Sequence, residues 1–227
     1  MPLESNVNAL SDESSRGSAE QQLRTPASEQ DPPAFKEADR FRADTYRILA
    51  RLFRAAPDQD LIDLFADCSQ PEHPGSCLES AWNGLAEACQ QADPANVDDE
   101  FHVLFIGLGR GEVLPYASWY LSGFLLDRPL ARLRADLDAL GIERAENVSE
   151  SEDHVAAICE TMALLVETET GIDYTGQKQF FDQHLQPWFS QFLDDIRAAQ
   201  AADFYRRVAA LGQGFFEFEE RWLSLPQ

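Results

Sequence analysis

The stretch SESEDHVAAICETMALLV, residues 149–166, joins a polar segment to an apolar run. Ile158, Met162 and Leu165 recur at the spacing of one face of an α-helix, and His154 stands one turn before Ile158 on that face. The run is too short to span a bilayer. It therefore predicts a helix buried in a helical core, with polar residues at its start.

The polar residues at the start of this helix allow several interpretations. Ser149 and Glu152 have the spacing of a capping box, which predicts a helix N-terminus. Asp153 and His154 could form a catalytic pair, metal ligands, a helix cap or a docking point for a basic peptide. We expect the acid to hold the histidine ring in place and to raise its pKa.

Helical periodicity continues on both sides of this stretch, and no segment shows the alternation of a confident β-strand. Asp93 marks a helix start and Gly141 a helix stop. Pro187 predicts a break, and Gly212 with Gly214 weakens the last helix. The predicted fold class is all-α, as a single globular bundle of roughly eight to ten helices.

The first part of the chain differs from the rest in composition. Residues 1–37 are rich in Ser, Glu, Gln and Pro and hold almost no aromatic residues. Such a segment buries too little apolar surface to fold, so we expect a disordered acidic and polar tail. Residues 38–227 are predicted to form the helical domain.

The charge and the cysteines limit the classes of function. A formal net charge of −22 excludes a nucleic-acid-binding protein, because phosphate contacts need a basic surface. It suits a basic partner, or simply solubility. The four cysteines form no C-x-x-C pair, and neither a secretory signal nor a membrane span is recognisable. We therefore expect a soluble cytoplasmic protein with reduced thiols and no stable membrane insertion.

Patterns typical of catalysis or metal binding are weak. Cys68, His73 and Cys77 have irregular spacing for a zinc site. The glycines of residues 107–111 leave a nucleotide-binding or nucleotide-hydrolysing enzyme as the alternative function. However, no strand precedes them and no helix start directly follows them, so a tight turn is the competing interpretation. We expect no catalytic residues, no metal and no cofactor.

The loop after these glycines has the composition of a binding surface. Pro115, Tyr116, Ser118 and Trp119 combine rigid aromatic area with hydroxyl groups. Core packing is the competing interpretation for Trp119. The polar start of the buried helix could supply the carboxylates of the same surface.

In this order, the segments resemble the TorD/DmsD family of cytoplasmic chaperones. The resemblance extends over about residues 40–225, and Ser151 stands where the family pattern has a proline. It rests on EFHVLFIG (100–107), PYAS (115–118), ESEDH (150–154), QKQFFDQH (177–184) and Trp188.

The resemblance implies an all-helical chaperone that binds the twin-arginine signal peptide of a molybdopterin-dependent oxidoreductase. It would hold the apo-form catalytic subunit until cofactor insertion and export. The implied client is a formate dehydrogenase or a DMSO- or TMAO-reductase-type enzyme. Guanine-nucleotide and molybdenum-cofactor binding are linked to the family and stay open here, as does the choice between a monomer and a helix-swapped dimer.

A twin-arginine signal has a basic start and an apolar stretch, so its binding surface needs carboxylates beside apolar walls. We expect Asp153 and His154 to anchor the basic part and aromatic residues to form the walls. The expected signal-peptide site consists of Phe101, Phe105, Gly107, Pro115, Tyr116, Ser118, Trp119, Glu150, Asp153 and His154.

Overall fold

A computed structural model describes residues 33–67, 75–144, 150–167 and 173–225. These residues form ten α-helices and one π-helical turn, and they contain no β-strand, which confirms the all-α prediction. The helices are α1 (Pro33–Arg54), α2 (Gln59–Ala66), α3 (Cys77–Gln91), α4 (Pro94–Phe101), α5 (Ala117–Ser122), α6 (Arg128–Leu140), α7 (Val155–Val166), α8 (Tyr174–His184), α9 (Phe189–Ala198) and α10 (Phe204–Trp222), with the π-helical turn His102–Ile106 directly after α4.

Several helix ends follow from local capping. The Ser76 hydroxyl and the Glu79 carboxylate form a complete capping box at the start of α3. Asp93 accepts a hydrogen bond from an amide in the first turn of α4, and Gly141 ends α6 in the left-handed conformation. The break predicted at Pro187 separates α8 from α9.

Two predicted helix starts differ from the structure. Helix α7 begins at Val155 with His154 as its N-cap, so the histidine is not part of the helical face. Glu152 lies in the preceding turn, and Ser149, its predicted capping partner, is outside the described residues. Helix α1 begins at Pro33, ahead of the predicted start at Ala38. Residues 1–32 are also outside the description, so the disordered tail stays a prediction.

Helix α7 is the centre of the core. It packs along α1, and its residues Ile158, Cys159 and Met162 are all fully buried. Burial raises the pKa of the Cys159 thiol, which therefore stays protonated and unreactive at neutral pH. Among the described helices, none has the length and apolar character that a membrane span requires.

The two glycines of α10 do not interrupt it, contrary to the expectation that they weaken the helix. A Cβ atom on Gly212 would lie 3.0 Å from a methyl carbon of Leu193 on α9. A Cβ atom on Gly214 would lie 3.1 Å from the Cα of Leu78 on α3. The glycines therefore let α10 approach both neighbouring helices closely, and this packing offsets their poor helix propensity.

A buried ion pair ties the first helix to the last. Arg42 on α1 donates to both carboxylate oxygens of Glu219 on α10, at 2.6 and 3.1 Å. The Tyr46 hydroxyl donates to the same carboxylate at 3.0 Å, and the Gln177 side-chain oxygen accepts from Arg42 at 3.1 Å. Burial acts to lower the pKa of Arg42, but the Glu219 carboxylate outweighs it and raises that pKa.

Arg42→Met is expected to lower the free energy of unfolding by about 3–5 kcal/mol, because it leaves the Glu219 carboxylate buried without its cation. Urea denaturation followed by circular dichroism measures the loss. Arg40→Met, on the exposed side of the same helix, is the control and should change stability by less than about 0.5 kcal/mol. Equal stability of the two variants would contradict the role given to this pair.

Candidate binding site

The turn before α5 and the turn before α7 are joined by backbone hydrogen bonds. The Ala117 amide donates to the Asp153 carbonyl at 2.9 Å, and the Val155 amide donates to the Pro115 carbonyl at 2.8 Å. Tyr116 and His154 thereby form an isolated antiparallel bridge, and their rings meet edge to face at 5.0 Å. Two of the segments that the sequence singled out thus lie side by side.

The buried Asp153 carboxylate stabilises the junction between these two turns. Only 1% of the residue is exposed. One of its oxygens accepts the Ser118 amide at 3.0 Å, and the other accepts the Ser151 hydroxyl at 2.5 Å. A buried carboxylate is stable only when hydrogen bonds replace its lost hydration, and these two bonds do so here. Asp153 therefore holds the first turn of α5 against the start of α7.

Ser118 links Asp153 to the residues that follow the far end of α5. Its buried hydroxyl accepts the Leu126 amide at 3.1 Å. Its carbonyl accepts the Ser122 hydroxyl at 2.9 Å. A chain of hydrogen bonds therefore runs from Asp153 through Ser118 to Leu126, and it determines the path of the loop that follows α5.

That loop, residues 123–126, presents an apolar surface to solvent, and we call it the apolar loop. Phe124 is 71% exposed, Leu125 46% and Leu126 67%. Leu126 also has a φ of 59°, in the left-handed region that costs a leucine roughly 1–2 kcal/mol. Leu126 therefore has a strained backbone, and its exposed side chain contributes little apolar burial to the stability of the fold. Such strain is typical of ligand-binding sites.

The apolar loop forms one wall of an open groove of about 1170 Å³, with Leu121 continuing that wall. The opposite side is formed by α6 and by the end of α8. His184 and Asp136 lie within this groove, and the His184 Nε2 atom is 2.7 Å from the Asp136 carboxylate. This contact joins α8 to α6.

His154 is buried and neutral at physiological pH. Its Nδ1 atom accepts the Ala156 amide at 3.1 Å, so the ring caps α7. Burial lowers the pKa of His154 to about 4; the Glu150 carboxylate opposes that shift, and the Arg54 guanidinium adds to it. Asp153 acts to raise the pKa of His154, as expected, but the net shift is downward because loss of hydration outweighs the carboxylates.

The structure separates the expected site residues into two groups. Tyr116, Trp119 and Glu150 are half-buried and can reach a ligand, and the Arg110 guanidinium lies 4.5 Å from the Trp119 ring centre. Gly107 is half-buried as well, and the other six are inside the protein. Phe101 and Phe105 belong to the aromatic core around Tyr205, so they are not walls of a surface groove.

Pro115, Ser118, Asp153 and His154 are likewise buried. Their burial argues against the expected direct anchoring of a peptide by Asp153 and His154. These residues instead position the surface around them. Sequence reasoning expected these two segments to lie together, as they do, but it cannot tell a buried carboxylate from an exposed one.

The glycines of residues 107–111 serve close backbone packing. A Cβ atom on Gly107 would lie 2.0 Å from the Arg110 carbonyl oxygen, and one on Gly111 would lie 2.4 Å from the Leu104 carbonyl oxygen. The chain folds back here onto the π-helical turn, and the next helix after these glycines begins only at Ala117. These features do not support the alternative of a nucleotide-binding enzyme, which needs amides at a helix start.

The groove residues Leu121, Phe124, Leu125, Leu126, Asp136 and His184 were not among the expected site residues. A signal for part of the groove is present in the sequence. An apolar run lies between Gly123 and the helix start at Asp127, where a polar turn is the norm. Asp136 and His184 offer no such signal, because they are 48 residues apart and meet only in the folded chain.

The fold and the groove define an all-helical protein built around an open apolar surface. Comparison with known proteins gives the family. The sequence profile described as nitrate reductase delta subunit matches residues 75–194, more than half of the chain. The chain belongs to this family of TorD-like proteins, which confirms the resemblance drawn from the motifs.

Among its relatives is a chaperone protein TorD from Vibrio cholerae serotype O1, 29% identical over 134 residues. That alignment covers 55% of this chain and 61% of the relative, so the chain spans less than two thirds of that protein. A chaperone protein TorD from Shewanella loihica is 25% identical over 199 residues, covering 78% of this chain and 90% of the relative. These relatives are named as chaperones and not as enzymes.

A solved structure shares the fold. It is a protein from Archaeoglobus fulgidus assigned as a redox enzyme maturation protein, with 17% identity and a TM-score of 0.52. The match covers 79% of this chain and 94% of that chain. At this level of identity the likeness concerns the helical architecture alone.

Ser118→Ala is expected to lower the free energy of unfolding by about 1–2 kcal/mol, because the Leu126 amide loses its acceptor. Hydrogen exchange at Leu126 should also become faster. The control is Ser80→Ala, which removes a hydroxyl bonded within an exposed helix and should leave both readings nearly unchanged. Unaltered exchange at Leu126 in Ser118→Ala would show that the loop does not depend on this hydroxyl.

His154→Asn should reduce the loss of stability in acid. The folded-state pKa of His154, about 4, lies below its ordinary value of 6.5. Its contribution is therefore complete above pH 6.5 and is lost as the pH falls towards 4, by about 3 kcal/mol in total. Asparagine can cap α7 without titrating. Urea denaturation at pH 7 and pH 4 should show a smaller difference for the variant than for the wild type; equal differences would contradict this assignment.

Proposed function

We propose that the protein is a cytoplasmic chaperone for a molybdopterin-dependent oxidoreductase. It binds the twin-arginine signal peptide of the apo-form catalytic subunit and holds it until the cofactor is inserted. The observation that carries this proposal is the groove beside the apolar loop. The Ser118 hydroxyl binds the Leu126 amide and holds Leu126 exposed, in a strained backbone conformation. The relatives named as chaperone protein TorD and the profile of a nitrate reductase subunit support a redox-enzyme client.

The apolar stretch of the signal peptide lies in the groove. Phe124, Leu125 and Leu126 offer it apolar area that no described part of the chain covers. Burying such side chains stabilises a complex by roughly 25 cal/mol for each Å² removed from water. The groove wall is held in place by Ser118 before binding, so little ordering of the protein opposes the association.

The arginines of the signal peptide lie at the other end of α5, where the Glu150 carboxylate is close enough to Tyr116 to affect its pKa. Burial raises the pKa of Tyr116, and the negative potential of the Glu150 and Asp153 carboxylates raises it further. A guanidinium can pair with the Glu150 carboxylate and stack on the Tyr116 ring. The six residues of α5 separate this corner from the groove by roughly 9 Å.

The net charge of the chain also favours a cationic signal peptide as the ligand. A net charge of −22 attracts a cationic leader and speeds its association at low salt. The client is proposed to be a formate dehydrogenase or an enzyme of the DMSO- or TMAO-reductase type.

Leu126→Asn is expected to weaken binding of a twin-arginine signal peptide by about tenfold, because it removes apolar contact area worth roughly 1.4 kcal/mol. Asparagine adopts the left-handed backbone more readily than leucine, so the variant should fold as well as the wild type. Titration calorimetry measures the affinity, and thermal unfolding measures the fold.

Leu64→Asn is the matched control, because Leu64 is 62% exposed but lies on α2, away from the groove. It should bind the peptide as tightly as the wild type. An equal loss in both variants, or none in Leu126→Asn, would remove the groove from the binding site. If the wild type fails to bind the peptide, the proposed function itself is wrong.

A further inference from the structure

Two arginines line the α6 side of the groove without a carboxylate partner. Arg128 and Arg132 are one helical turn apart, so they share a face of α6, and both are exposed. Across residues 33–67, 75–144, 150–167 and 173–225, neither guanidinium has a carboxylate within 4.0 Å. Arg134 on the same helix contrasts with them, because it pairs with Glu152 at 2.8 Å.

The two carboxylates of the groove, Asp127 and Asp136, form no ion pair with these arginines. Asp127 precedes the helix and makes no side-chain capping bond, so it offsets one of the two positive charges. The Asp136 carboxylate contacts the His184 Nε2 atom at 2.7 Å and neither arginine. The groove therefore keeps unpaired guanidinium groups beside the apolar loop, in a chain whose net charge is −22.

This pattern selects the chemistry of the occupant. A purely apolar segment would leave both arginines unpaired at the edge of the contact, and a cationic segment would offer them no partner. A carboxylate can accept hydrogen bonds from both guanidinium groups while the apolar loop covers the neighbouring side chains.

We propose that the groove binds a peptide segment that carries a carboxylate directly beside its apolar stretch, with the carboxylate on Arg128 and Arg132. This inference rests on the proposed function and adds the order of charged and apolar residues along the bound segment. The bound segment is cationic at the Tyr116–Glu150 corner, apolar along the apolar loop and acidic at α6. The two arginines thereby set the direction in which the segment lies and distinguish it from other apolar peptides.

The test uses two twin-arginine peptides that differ in one residue. Both carry the same apolar stretch, followed directly by Glu in one peptide and by Gln in the other. Titration calorimetry on the full chain should show that the wild type binds the Glu peptide about fivefold more tightly, as half-exposed ion pairs allow. In Arg128→Gln/Arg132→Gln the ratio of the two affinities should fall to about one. Added salt should reduce the wild-type ratio.

Arg207→Gln/Arg221→Gln is the control, because it makes the same change of net charge on α10, outside the groove. It should keep the wild-type ratio. Equal binding of the two peptides by the wild type would overturn the inference and leave the proposed function standing, and so would an equal loss of the ratio in the control. If neither peptide binds, the proposed function fails and the inference fails with it.

Discussion

The Asp153 carboxylate is the constraint on which the candidate site depends. It is removed from water, and the Ser118 amide and the Ser151 hydroxyl replace its hydration. Those bonds force the start of α5 to lie against the start of α7. A buried polar group permits few alternative arrangements, since each would leave it without hydrogen-bond partners. The junction is therefore specific as well as stable.

This junction also determines the position of the apolar loop at the surface. Ser118, fixed by Asp153, in turn fixes Leu126 through its hydroxyl, and the apolar loop is held away from the core. Without such a tether, an apolar run would be expected to collapse onto the nearest apolar surface. The fold thus uses a buried polar chain to keep apolar side chains in water, which is the reverse of the usual arrangement and is suited to meeting a partner.

Much of the fold was predictable, and the reason is that its signals are local. The helical period, the caps at Ser76 and Asp93 and the break at Pro187 act within one or two turns of backbone. The predictions failed where a residue's role depends on distant parts of the chain. Phe101 was predicted to be a wall of the site and lies in the core, since the aromatic residues that cover it come from other helices.

The amino-acid sequence was enough to establish the all-helical fold and the family. Periodicity and capping are short-range effects, and ordered motifs survive in the sequence whatever the packing. The tertiary structure alone decided which of the expected site residues are exposed to solvent. Asp153 and Ser118 are 35 residues apart, and whether they are exposed or buried follows from how α5 and α7 meet. Burial reverses the role of a carboxylate, from a surface charge that attracts a peptide to an internal tether that shapes the surface.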